Sequence, residues 1–127
     1  LRKLIAGLLL GWMLLVSATP ASAHAQLVSA NPKLKSVVYA LPKQVQLMFG
    51  DDLIDLADGN QIQVTDPKGK RIDTGENILL GNQLSTGLKK SVLLGRYTVT
   101  YRVLSEDGHP VSATYIFTLA KKPVKKS

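Results

Sequence analysis

Polar and apolar residues alternate along most of this chain with a repeat of two. Gln44-Val45-Gln46-Leu47-Met48-Phe49 and Gln61-Ile62-Gln63-Val64-Thr65 each put an apolar side chain at every second position. Tyr97-Thr98-Val99-Thr100-Tyr101-Arg102-Val103 keeps the rhythm over seven residues, as a strand with one buried face does. Ala113-Thr114-Tyr115-Ile116-Phe117-Thr118-Leu119 continues it, with Ala113, Tyr115, Phe117 and Leu119 on one side. Weaker strands are expected at 26–29 and near 78–80. Residues 36–40 and 52–57 carry no clear period and could hold single helical turns. Turn-forming residues fall between the runs, at Asn31-Pro32, Asp58-Gly59-Asn60, Asp66-Pro67-Lys68-Gly69, Gly81-Asn82 and Asp107-Gly108. Many short strands without an amphipathic helix predict an all-β domain, an antiparallel sandwich or small barrel.

The first 23 residues break this pattern. Arg2 and Lys3 precede an apolar run of thirteen residues, 4–16, and a small, polar stretch ending in Ala21-Ser22-Ala23. This is the layout of a secretory signal peptide cut after Ala23. A retained anchor is the poorer reading, because a spanning helix needs ~20 apolar residues. Cleavage leaves 104 residues starting at His24, enough for one domain with a modest core. No later stretch is apolar enough to span a bilayer, so the mature protein is expected to be soluble. The chain has no cysteine, which excludes disulfide staples and thiolate metal sites.

Charge changes the picture by its distribution. The formal charge of +7 falls to +5 when Arg2 and Lys3 leave with the signal, and Lys121, Lys122, Lys125 and Lys126 supply four of those five. The body, 24–120, carries only about +1. A nucleic-acid binder would show a basic patch interleaved with aromatics on the folded body, so no nucleic-acid partner is expected. Residues 121–127 read as a solvated, flexible lysine-rich tail, with contact to anionic lipid or a partner as the alternative.

The mature chain has two histidines, His24 and His109. Cleavage before His24 frees an amine that can chelate one ion together with its own imidazole. Asp107 and His109 are two residues apart, and on extended backbone such side chains project to one side. Gly108 adds no bulk between them, and Pro110 restrains His109 towards extended geometry. The combined donors are three nitrogens and one oxygen, a sulfur-free set that favours tetragonal Cu(II). Each part also has a plainer explanation. Asp107 could simply cap turn amides, and His24 could be a frayed terminus. The acidic group Asp51, Asp52, Asp55 and Asp58 lacks the spacing of an EF-hand and reads as a solvated loop.

His24-Ala25 with Leu27, then Asn31-Pro32, residues 45–49, and above all Gly95-Arg96-Tyr97-Thr98-Val99 through Arg102-Val103-Leu104-Ser105-Glu106-Asp107-Gly108-His109-Pro110-Val111 resemble the CopC copper-resistance family. The resemblance spans 24–119. It implies a small Greek-key β-barrel of the cell envelope that carries one Cu(II) per chain. The implied ligands are the amine and imidazole of His24, the imidazole of His109 and the carboxylate of Asp107. It also implies a monomer that buffers or carries copper in the periplasm, or at the cell surface where the host lacks an outer membrane. Some members carry a methionine-rich Cu(I) site. Met48 is the single methionine of the mature chain here, and one thioether does not make a soft site. Tyr101 stands where the family often has tryptophan, a change expected to affect packing rather than ligation. Some members are fused to a membrane copper transporter of the CopD type, expected here as a separate partner.

Two other classes compete with a carrier. A copper-dependent oxidase or polysaccharide monooxygenase also uses a processed terminal histidine. It would need a flat aromatic surface, whereas Tyr97, Tyr101, Tyr115 and Phe117 sit on strands as expected core, and Asp107 would fill a position that oxygen chemistry needs open. A metal-free immunoglobulin-like interaction module would show no change in stability with copper.

Overall fold

The computed structural model describes residues 25–125. Among these there are eight strands and no helix: β1 (Leu27–Asn31), β2 (Val37–Val38), β3 (Gln44–Phe49), β4 (Gln61–Thr65), β5 (Asp73–Leu80), β6 (Gln83–Leu88), β7 (Gly95–Leu104) and β8 (Pro110–Leu119). They form two four-stranded sheets, β1-β3-β6-β5 and β2-β8-β7-β4. Only β5–β6 and β7–β8 are hairpins between sequence neighbours within a sheet; the other connections cross between sheets, the interlocked connectivity of a Greek-key sandwich. With β2 set aside, the strand orders match the four-plus-three arrangement of immunoglobulin domains.

The alternation sorts side chains as expected. Val45, Leu47 and Phe49 of β3 are buried against Tyr97, Val99, Tyr101 and Val103 of β7 and against Tyr115 and Phe117 of β8. Phe49 meets Tyr101 edge-on with ring centroids 5.5 Å apart, and Tyr97 stacks on Phe117 at 5.3 Å. The Tyr97 hydroxyl donates to the carbonyl of Leu93 at 2.7 Å, a tyrosine corner of the kind common in such sandwiches. Burying Tyr115 pushes its phenol above the usual range, with the nearby Tyr101 adding to the shift.

Several elements differ from the sequence expectation. Residues 36–40 hold β2 instead of a helical turn, and β2 pairs with β8 in parallel, so the second sheet is mixed. Residues 52–57 are irregular up to a turn beginning at Ala57. The weak strand near 78–80 is the end of the eight-residue β5, which bends where Gly75 takes a φ of +81°. β6 goes unseen in the sequence because its inward positions are Leu84 and Thr86, only one of them apolar. Ala113 keeps the phase of Tyr115 but is exposed.

The outer edge of β4 explains why this is a sandwich drawn partly towards a barrel. The edge amide of Ile62 donates to Asn77 Oδ1 at 2.9 Å, and that of Val64 to Asp73 Oδ1 at 2.9 Å. Both acceptors lie on β5, in the other sheet. Arg71 in turn holds Asp73 through Nη2–Oδ2 at 2.7 Å. A buried carboxylate and a half-buried amide thus satisfy edge groups that would otherwise invite another strand.

Two ends of the sandwich matter below. At one, Gly50 N–H donates to Gln26 C=O, Leu53 N–H to Gly81 C=O, and Ile54 N–H to Leu104 C=O, at 2.9, 3.1 and 3.0 Å. These bonds gather the start of β1, the 50–60 loop, the β5–β6 turn and the β7–β8 tip. At the other, Leu88 N–H donates to Lys43 C=O and Lys89 N–H to Ile72 C=O, at 2.8 and 2.7 Å.

Candidate metal centre

β7 and β8 are the longest strands, and their register runs unbroken from Gly95 opposite Leu119 to Leu104 opposite Pro110. Residues 105–109 turn at the tip of this ribbon. Gly108 N–H donates to Ser105 C=O at 2.9 Å and Ser105 N–H to His109 C=O at 3.0 Å. Gly108 has a φ of +85°, the left-handed step that a three-residue hairpin loop requires. A Cβ there would touch nothing within 4 Å, so the need for glycine is conformational and not steric.

The sequence reading brought Asp107 and His109 together on extended backbone; the structure does so through this turn. Ser105, fully buried, makes a very close hydroxyl contact with Asp107 Oδ1, and its Oγ also lies 2.8 Å from His109 O. Asp107 Oδ1 accepts the His109 N–H at 3.1 Å as well. One carboxylate oxygen is therefore occupied in shaping the loop. The other, Oδ2, lies 3.1 Å from His109 Nδ1. The bond from Ser105 is the main reason the Asp107 carboxyl is held well below the usual carboxylate range, followed by the His109 amide and then the imidazole. Capping and pairing are two functions of one side chain here. The His109 side chain is 67% exposed and that of Asp107 26%, so the pair can be reached from solvent.

His24 lies outside the described residues. Its neighbour Ala25 is buried in the core, at the end of the sandwich that carries residues 105–109. Among the described residues no three His, Asp, Glu or Cys side chains converge; Asp107 and His109 are a pair. The exposed carboxylates of Asp51, Asp52, Asp55 and Asp58 lie at the same end without gathering into a cation site. Met48 faces away from Leu47 and Phe49 and is 38% exposed, while Tyr101 is core.

Two residues that the sequence places only in a motif and a turn prove to support the pair. Ser105 organises the loop, and its signal is a serine two positions before the aspartate in a hairpin turn closed by glycine. Asn60 donates from Nδ2 to Ile54 C=O at 2.7 Å and accepts the Leu104 N–H on Oδ1 at 2.9 Å. It ties the 50–60 loop to the last residue of β7, just before the site. A contact spanning 44 residues has no local signature.

The fold and the site together define an immunoglobulin-like sandwich that presents an imidazole–carboxylate pair at the tip of its last hairpin. The CopC domain model matches residues 27–120, and the chain belongs to that family. It is 29% identical over 119 residues to Copper resistance protein C of Escherichia coli, covering 88% of this chain and 94% of that protein. Over 102 residues it is 28% identical to Copper transport protein CutJ of Bacillus subtilis (strain 168), covering 78% of this chain but 18% of that longer protein. The crystal structure of CopC from Methylosinus trichosporium OB3b superposes with a TM-score of 0.65 at 32% identity, covering 81% of this chain and all of the other.

Proposed function

We propose that this chain is an exported Cu(II) carrier or buffer, binding one ion per chain through the amine and imidazole of His24, the imidazole of His109 and the carboxylate of Asp107. The observation that carries the reading is the Asp107–His109 pair on a rigid hairpin tip, in a chain of the CopC family. Donors 3.1 Å apart subtend roughly a right angle at an ion ~2 Å from each, which suits adjacent corners of a tetragonal site. Ser105 and Asn60 supply the outer support that orients ligands. Ala25, the residue that follows His24 in the sequence, is buried at this end of the sandwich.

The chemistry is ligand exchange. An exposed imidazole lets an incoming ligand approach before the ion departs, as handing copper to or from another protein requires. A membrane copper transporter of the CopD type is the partner we infer, and the likeness to CutJ supports it. Ser105 and the turn hold the Asp107 carboxylate beside His109, which supports its role as a ligand. The acidic residues around it raise the local cation concentration. The cell envelope is the inferred location, with residues 1–23 removed as a signal. The aromatics of a glycan-binding surface are absent from this end among the described residues: Tyr97, Tyr101, Tyr115 and Phe117 are all buried. That favours a carrier over an oxidase.

Copper titration of protein beginning at His24, followed by electron paramagnetic resonance, tests the proposal. The expected result is one tetragonal Cu(II) per chain with nitrogen hyperfine structure. A signal unchanged from free copper, or binding unaffected by His109→Ala, would refute it.

A further inference from the structure

The end of the sandwich opposite Asp107 and His109 has a different surface. A hollow of 630 Å³ opens between residues 39–43, the 89–94 loop and the end of β8. Its floor is apolar, and Lys43, Lys89, Lys90, Lys121 and Lys122 stand around it, with no acidic residue among those lining it. Beside it Val92 is 92% exposed, and Tyr39 and Leu94 are each 53% exposed. The reason lies in the fold. Tyr97 pins the carbonyl of Leu93, leaving the residues on either side of Leu93 turned towards solvent. Lys121 and Lys122 lead into the chain that carries Lys125 and Lys126.

We propose that this end docks on an anionic lipid surface, with Val92 and Leu94 entering the headgroup region and the lysines facing lipid phosphates. Apolar side chains that project from a ring of lysines suit an interface that is apolar below and anionic above. The opposite end carries Asp51, Asp52, Asp55, Asp58, Glu106 and Asp107, which the same surface would repel. The charge distribution thus orients the molecule as well as attracting it. The ten residues of β7, at ~3.3 Å each, hold the two ends roughly 30 Å apart. Docked this way, the protein would face Asp107 and His109 into the aqueous space, so copper exchange with a membrane transporter would proceed from the undocked protein.

The inference is independent of copper and is tested on metal-free protein beginning at His24. Sedimentation with vesicles of phosphatidylcholine alone is compared with vesicles containing about a quarter phosphatidylglycerol at low salt. Binding is expected only to the anionic vesicles. A lysine near an anionic surface contributes about fivefold in affinity, so the double variant Lys89→Gln/Lys90→Gln should bind about 25-fold more weakly. Val92→Asp should also lose about tenfold or more, with unchanged circular dichroism because that side chain is almost wholly in solvent. Equal sedimentation with neutral and anionic vesicles, or full binding by both variants, would overturn the proposal. So would tighter binding to a poly-glutamate peptide than to vesicles, which would assign the surface to an acidic protein partner.

Discussion

The two ends of this sandwich are built from the same strands and behave as opposites. At the Asp107 end, side chains bind backbone: Ser105, Asp107 and Asn60 fix the 105–109 turn and the last amide of β7. At the lysine end, backbone fixing by Tyr97 serves to push apolar side chains outward. The first arrangement gives a small set of donors at defined spacing, which suits one small ion. The second gives a broad apolar and cationic surface without fixed geometry, which suits a soft, extended partner. A rigid β scaffold can keep the two chemistries apart because its long strands separate them.

The sharpest way to break this contrast is acid, which should act on the ordered end first. Nitrogen ligands bind copper only when unprotonated, and reference pKa values are ~7.7–8.0 for an α-amine and ~6.5 for imidazole. The Asp107 carboxyl is held below the usual range, so it stays ionised in mild acid and adds nothing to the loss. Apparent Cu(II) affinity should therefore fall by several orders of magnitude from about pH 7 to about pH 5. A flat affinity, read by competition with a chelator whose own pH dependence is known, would exclude amine and imidazole ligation. Next in size is a residue added before His24, which converts its amine to an amide. Removing outer-shell support costs about 10–100-fold in metal affinity, so loss of a chelating ligand should cost more, with circular dichroism unchanged. An extended protein that binds as tightly as the native-start form would remove His24 from the site.

How far the two ends could be read from sequence follows the same division. The long alternating runs specify β3, β4, β7 and β8 because each inward side chain is large and apolar. β2 escapes because it is two residues long and exists through pairing with Thr118 and Leu119, some 80 residues away. The nearness of Asp107 and His109 is visible from spacing and the turn at Asp107-Gly108 from its residue types; what differs is that a left-handed Gly108, in place of extended backbone, brings the pair together. Ser105 acts through contacts local to the hairpin turn, whereas Asn60 acts through a contact that closes only when the hairpin and the 50–60 loop meet. The lysine surface was half visible, as a tail. Lys43, Lys89 and Lys90 join it only in the folded sheet order.

Within the ordered end, His109→Ala should lower Cu(II) affinity by at least about 100-fold, and more than Asp107→Ala, since imidazole is the stronger donor of the two. Ser105→Ala should cost about tenfold by releasing Asp107 from its fixed orientation. Isothermal titration on the three variants ranks them. A Ser105→Ala protein with native affinity would mean that the turn shapes the loop without serving the metal.

The smallest expected effect is the most informative about separation. Lys89→Gln/Lys90→Gln removes two positive charges from the lysine end. The Asp107–His109 pair lies roughly 30 Å away by the length of β7, while the Debye length at physiological ionic strength is about 8 Å. Over more than three screening lengths, the lost repulsion towards a bound cation falls well below RT. Cu(II) affinity should therefore stay within about 1.5-fold of native at ~0.15 M salt, even though vesicle binding weakens about 25-fold. A copper affinity that moved severalfold in this variant could not be carried by through-space charge. It would require the β7–β8 ribbon to transmit a structural change from one end to the other, and the two ends would then be a coupled device.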